Sequence, residues 1–210
     1  MLLLKFIDVF GANNFLKGNL RFGLVKDYRN LENNIIMGKR DSEEGRFFTE
    51  KYVTPSGSPM KFRLESNEDV GHVLCLYHMG DKLDAKGLRK MAEFGDYVVI
   101  IKDEQEFIRR IDIAVKGEGY TFLRRDVFYY DESVEDEMNA MKLLSSGKEY
   151  FSFLKREKYF SFQKEYRYLI IDADTNNNVK WIKVGDLKDI AEIQSTEKFL
   201  KGVGVDSSVD

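Results

Sequence analysis

The apolar residues of this chain come in short runs. LLLKFI (2–7), NLRFGLV (19–25), VGHVLCLYHM (70–79), DYVVIIKD (96–103) and EYRYLIID (165–172) are each about the length of a strand. Runs of this length, rich in Val, Ile, Phe and Tyr, build sheets. Each falls well short of the roughly 20 residues that a membrane-crossing helix needs. Between the runs lie brief helical patterns. GANNFLKG offers Asn13 as a cap and Gly18 as a stop. LDAKGLRKMAEFG places Leu83, Leu88 and Met91 at helical spacing before Gly95, and EQEFIRRIDIAVKG puts Phe107, Ile108, Ile111 and Val115 on one side. Strands and helices never settle into βαβ alternation. The pattern predicts an α+β fold with a mixed, mostly antiparallel sheet and short helices, in one domain over residues 1–210.

The remaining segments are read the same way. FFTEKYVTPSGSPMKFRLES reads as a hairpin turning at PSGSP, after a charged loop over residues 37–46. YTFLRRDVFYYD (120–131) alternates as a strand, SVEDEMNAMKLLSSGKEYFSFLKREKYF reads as two helices, and KDIAEIQSTEKFL as a terminal helix. A single cysteine, Cys75, precludes an intramolecular disulfide, so the expectation is a reducing, cytoplasmic setting with no membrane partner. One cysteine and two histidines are too few for a Cys/His zinc site, and no metal is expected. Charged residues make up 33% of the chain, yet the net charge is −3, which is not the balance of a general nucleic-acid binder.

The segment YFSFQKEYRYLIID (159–172) carries a chemical puzzle. Glu165 enters a strand that otherwise reads as buried, and a buried carboxylate is costly unless paired. Either Arg167, two residues on and on the same strand face, or a lysine neutralises it, or a site requires a carboxylate there. Lys5 in an apolar strand is similarly unusual. Arg21 lies on the strand face opposite Leu20 and Phe22, where a solvent-facing role is the simpler reading. Tyr77 and His78 end an apolar run, where packing is the plain alternative.

Three pieces of sequence line up: the first strand with Lys5 and Phe6 followed by NNFLKGNLRFG (13–23), then VGHVLCLYHM, then FQKEYRYLI. Together they resemble a widespread bacterial family with degenerate motifs, and their order resembles the ADP-ribosyltransferase fold. The resemblance spans nearly the whole chain and implies a split sheet with NAD bound in its cleft. It makes Glu165 and Gln163, within Gln163-Lys164-Glu165, the catalytic pair. Lys5, Phe6, Arg21, Phe22 and Tyr77 would hold NAD, with Tyr77 as a stacking platform. Tyr28, Arg29 and Arg167 would contact the acceptor. Lys5 stands where Arg or His is usual, and no Ser-Thr-Ser follows on the middle strand. The chemistry fits the residue types, because nicotinamide–ribose cleavage passes through an oxocarbenium-like state that a carboxylate stabilises.

The implied activity is transfer of ADP-ribose to a macromolecule, nucleic acid or protein, by a toxin-like effector of a bacterial defence or toxin–antitoxin system, with an antitoxin as an expected partner. A non-catalytic nucleic-acid or protein-binding module on the same scaffold is the second reading. A metal-dependent nuclease using Asp41, Glu44 and Glu165 is a third, though these carboxylates have no recognisable ligand spacing. RDSEEG (40–45) reads as a solvated loop. The basic stretches KGLRK (86–90), RR (109–110), RR (124–125) and LKREK (154–158) read by default as solvated faces and bind nucleic-acid backbone only if folding brings them together. KREKYFSFQKEYR, with interleaved cations and aromatics, is the strongest stretch for such contact.

Overall fold

The computed structural model describes residues 2–28, 46–53, 59–65, 71–131, 133–171 and 179–205. The chain opens with strand β1 (Leu2–Ile7), helix α1 (Val9–Leu16) and strand β2 (Asn19–Leu24), followed by a 3-10 turn at Val25–Tyr28. Asp8, not Asn13, caps α1, accepting from the Gly11 N–H at 2.6 Å. Asn13 is one turn inside, where its side chain donates to the Val9 carbonyl. The hairpin is present as β3 (Arg46–Val53) and β4 (Pro59–Glu65). Strand β5 (Gly71–Met79), helix α2 (Ala85–Ala92), strand β6 (Tyr97–Ile101) and helix α3 (Glu104–Gly117) follow as the patterns predict. Asp84 and Asp103 cap the two helices.

Residues 120–131 form two strands rather than one: β7 (Thr121–Asp126) and β8 (Phe128–Tyr130). They separate at Val127, whose N–H donates to the Glu165 carbonyl, and they pair in different sheets. Helix α4 (Val134–Leu144) is the first of the two expected helices. The second is instead a 3-10 stretch (Lys148–Phe153), a short strand β9 (Leu154–Arg156) parallel to β8, and a one-turn helix α5 (Glu157–Phe160) leading to a 3-10 turn at Ser161–Gln163. Strands β10 (Glu165–Ile171), β11 (Val179–Lys183) and β12 (Ala191–Ser195) and helix α6 (Thr196–Gly202) complete the described chain. The predicted terminal helix is therefore half strand. IAEIQ alternates apolar and polar residues, and β6 has an edge for it to fill, Ala191 opposite Ile101. Among the described residues, no helix is long and apolar enough to cross a membrane.

Eight strands form one antiparallel sheet in the order β11-β2-β5-β1-β6-β12, with β10 and β7 branching from β5. The branch arises because β5 has three neighbours. Along one edge it pairs with β10 from Gly71 to Tyr77. The other edge is shared: β1 holds Tyr77–Met79, and β2 holds His72 and Val73. Residues 74–76 have no opposite residue on that edge in either register. Past Leu4, β1 follows β6 instead, leaving β5 and β2 behind. The sheet thus forks at Cys75.

Helices cover both faces. On one, α1 and α3 bring Phe15, Phe107, Ile111 and Val115 onto Leu3, Leu20, Phe22, Leu74, Leu76 and Tyr168, with Phe15 stacked on Phe107. On the other, α2 and α6 bring Leu88, Met91, Phe199 and Leu200 onto Leu4, Phe6, Tyr77 and Val98. A separate apolar group, Val25, Val73, Phe153 and Leu169, sits on this second face. Burying each such side chain contributes about 1.5–3 kcal/mol. The fork opens on the second face, between these two groups.

Candidate functional site

A cavity of about 460 Å³ occupies the fork. The alternation of three strands aims their polar residues into it. On β10, Tyr166, Tyr168 and Ile170 join the first core, which turns Glu165 and Arg167 to the other face. On β5, Leu74 and Leu76 face that core, which turns Cys75 and Tyr77 the same way as Glu165. On β2, Leu20 and Phe22 are core and Arg21 projects opposite. Arg21 is exposed to solvent, as its strand parity suggests, and it also borders the cavity.

Glu165 is held from two sides. Lys155 Nζ lies 2.6 Å from Oε1, and Arg167 Nε donates to Oε2 at 2.7 Å. Lys155 also donates to Gln163 Oε1 at 2.8 Å and lies over the Phe160 ring. An Arg167 terminal nitrogen donates to the Ser152 carbonyl. The Glu165 N–H donates to the Tyr129 hydroxyl at 2.9 Å. All three charged side chains are nearly inaccessible, 8% exposed or less. Burial pushes the Glu165 carboxyl upward, but the Arg167 and Lys155 charges and hydrogen bonds outweigh it and hold the group well below the ordinary carboxylate range. Glu165 is therefore ionised, and the triad carries one net positive charge. The preceding Lys164 is in the left-handed region (φ 37°, ψ 52°), which turns the chain so that Gln163 and Glu165 both meet Lys155. A non-glycine residue there costs about 1–3 kcal/mol.

Lys5 marks the branch point itself. Its Nζ donates to the Cys75 carbonyl at 2.7 Å, a group the fork leaves without a strand partner. The Cys75 thiol is pushed up to about 12, first by burial and then by the Glu165 charge, so it is a neutral thiol rather than a nucleophile. Burial also raises the Tyr28 and Tyr129 phenols strongly. Tyr77 rises to about 12 through burial and the Asp84 charge.

Of the residues singled out in the sequence, Lys5, Phe6, Arg21, Tyr28, Tyr77, Gln163, Glu165 and Arg167 all line this cavity. Phe22 does not. It is fully buried in the first core, edge-on to Tyr168, because its parity on β2 is opposite to that of Arg21. Tyr77 is a wall rather than a bare platform, since its ring meets Phe6 at right angles and is 3% exposed. Arg29 and the acids of residues 40–45 lie outside the described residues. Lys155 and Tyr129 were missed in the sequence. Their signal was faint: Lys155 ends a buried run, Ser152–Lys155, within a segment that reads as helix.

The cavity's lining mixes apolar side chains (Leu4, Phe6, Tyr77, Met91, Phe94) with four cations (Lys5, Arg21, Lys155, Arg167) and three acids (Asp8, Asp96, Glu165). Its size is in the range of about 300–1,000 Å³ seen for small-molecule sites. Away from it, Asp131, Asp136 and Glu157 bring carboxylate oxygens within 4.8 Å of one another, a grouping accounted for by turn hydrogen bonds such as Asp131 N–H to Asp136. Comparison with family models, curated proteins and solved structures finds no match for this chain.

Proposed function

We propose that the forked-sheet cavity binds NAD and that the protein transfers ADP-ribose from it to a macromolecular acceptor, as a toxin-like effector. One observation carries this reading: apolar side chains, two cavity-lining cations outside the triad (Lys5 and Arg21) and an ionised carboxylate share one cavity. Phe6, Tyr77 and Met91 suit a flat ring. Lys5 and Arg21 suit a pyrophosphate, whose charge-assisted hydrogen bonds are the strong kind. Glu165 supplies negative charge beside the ribose carbon as positive charge develops there. Anionic ligand oxygens compete for Arg167 and Lys155, which frees a Glu165 oxygen for the sugar. Nicotinamide leaves with the bonding electrons, and the acceptor nucleophile forms the new bond to the same carbon and releases its proton.

The test is calorimetric titration with NAD, alongside measurement of nicotinamide release with RNA, DNA and protein acceptors. Arg21→Glu is the variant of choice, because Arg21 is exposed and its loss leaves the core intact. It is expected to weaken NAD binding at least about tenfold, the equivalent of one charge-assisted hydrogen bond. Wild-type protein that neither binds NAD nor releases nicotinamide sinks the reading.

A second reading has its own observation. Both Glu165 oxygens are occupied by cations, the arrangement of a structural ion-pair strut. A non-catalytic module for an anionic ligand or a macromolecule on this scaffold accounts for that geometry, and ligand binding without turnover selects it.

A further inference from the structure

Two basic stretches far apart in the chain meet on the surface. Lys90 of α2 lies 4.9 Å from the centre of the Phe162 ring, which follows α5. KGLRK and KREKYFSFQK therefore share one surface, beside the cavity that α2's trailing end (Met91, Phe94) and Gln163 help line. Over residues 84–93 and 156–164 this surface carries six cations, Lys86, Arg89, Lys90, Arg156, Lys158 and Lys164. Three acids oppose them, Asp84, Glu93 and Glu157, on a chain whose net charge is −3. Asp84 is engaged as the α2 cap and with Lys164 at 3.3 Å. The rest of the molecule is correspondingly acidic, so positive charge is concentrated here.

The aromatic content is equally specific. Tyr159 is 50% exposed, and both Arg156 and Lys158 lie over its ring, at 5.0 and 5.5 Å. A large exposed ring flanked by cations offers stacking and phosphate contact within one or two nucleotides of each other. A protein partner would be matched by an apolar centre with a polar rim; this surface instead carries six cations to three acids around one half-exposed ring. A duplex hides its base faces, whereas an unpaired strand presents them.

We infer that the α2–α5 surface binds single-stranded nucleic acid, with a base stacked on Tyr159 and the backbone tracked by Lys86, Arg89, Lys90 and Lys158. The surface stands on its own geometry, and it deepens the proposed function by naming the acceptor as an unpaired strand held next to the cavity.

The experiment is fluorescence anisotropy on the full chain with labelled single strands of about 12 nucleotides, within the span of known single-strand sites. RNA and DNA of one sequence, and the matching duplex, are compared across salt. Binding is expected to favour either single strand over the duplex and to fall as salt rises. Lys90→Glu with Lys158→Glu is expected to lower affinity at least about tenfold and to flatten the log–log salt slope by about 1.4, two phosphate contacts' worth. Tyr159→Ala is expected to cost at least about fivefold with the slope unchanged. All three side chains are exposed, so these variants keep the fold. No single-strand binding at low salt, equal binding of the duplex, or unchanged affinity in the charge-reversed variant overturns the inference. NAD titration of the same variants separates the two readings: strand binding without NAD binding leaves this surface standing and removes the transferase.

Discussion

Lys155 and Glu165 meet at 2.6 Å, ten residues apart in sequence and brought together from two different sheets. Lys155 comes from β9, whose only partner among the described strands is β8; Glu165 begins β10 in the main sheet. Arg167 completes the arrangement from the same strand as Glu165. The carboxylate is thus a tie between two layers as well as the centre of the cavity's charge.

Removing that tie leaves two buried cations facing each other. Glu165→Gln is expected to destabilise the protein by about 3–5 kcal/mol, the cost of breaking a buried pair by deleting one partner. Urea unfolding measures it. A loss below about 1 kcal/mol would show that the triad is hydrated rather than tightly paired.

The same carboxylate sets an acid limit. Its folded acidity lies below the ordinary value of 4.5, so the unfolded chain takes up the proton first as pH falls. The stability Glu165 contributes is full above about pH 4.5 and is lost progressively below it. Stability measured from pH 7 to pH 3 is expected to fall more steeply for the wild type than for Glu165→Gln. Parallel curves would count against an ionised Glu165.

Cys75 is expected to resist alkylation. With its thiol pushed up to about 12, the thiolate fraction at pH 8 is about one in ten thousand. Iodoacetamide at pH 8 should modify the native protein at least about a hundredfold more slowly than the urea-unfolded chain. Comparable rates would place the thiol in an open, polar environment.

Lys5→Met removes the donor that serves the Cys75 carbonyl at the fork. The expected cost is about 1–3 kcal/mol, that of an unsatisfied buried acceptor, with Lys5→Arg recovering most of it. Denaturant midpoints for the two variants decide the point, and equal loss in both would argue that packing rather than donation matters.

Gly18 sits at φ 74°, and a Cβ there would overlap the Gly185 carbonyl. Gly18→Ala is expected to lower stability by about 2–4 kcal/mol and the melting temperature by about 5–15 °C. An unchanged melting curve would mean the α1–β2 turn and the Val184–Leu187 segment can separate freely.

Strand parity made much of the site legible. The alternation of Leu20, Phe22 and Leu24 puts Arg21 on the other face, and the placing of Glu165 and Arg167 two residues apart puts them together. The same parity argument, applied strictly, sends Phe22 into the core, where the structure finds it. Local pattern failed where two periodicities fit one segment. IAEIQ satisfies both helix and strand, and the edge of β6 chose strand. FSFLKRE reads as helix but became a 3-10 stretch and β9.

The sequence by itself determined the strands at 2–7, 19–25, 70–79, 96–103 and 165–172 and which face of each alternating one is apolar, because period two is written in local order. It also marked Glu165 as a carboxylate that needs either a cationic partner or a site that uses it. Only the tertiary structure decided what lies on the other face of those strands. A fork exists because β5 is claimed on one edge by both β1 and β2, and that competition is settled by non-local pairing and helix packing. That a cavity lies beside the exposed Arg21, and which lysine finds Glu165, depends on contacts between segments far apart in the chain, and no local periodicity encodes those.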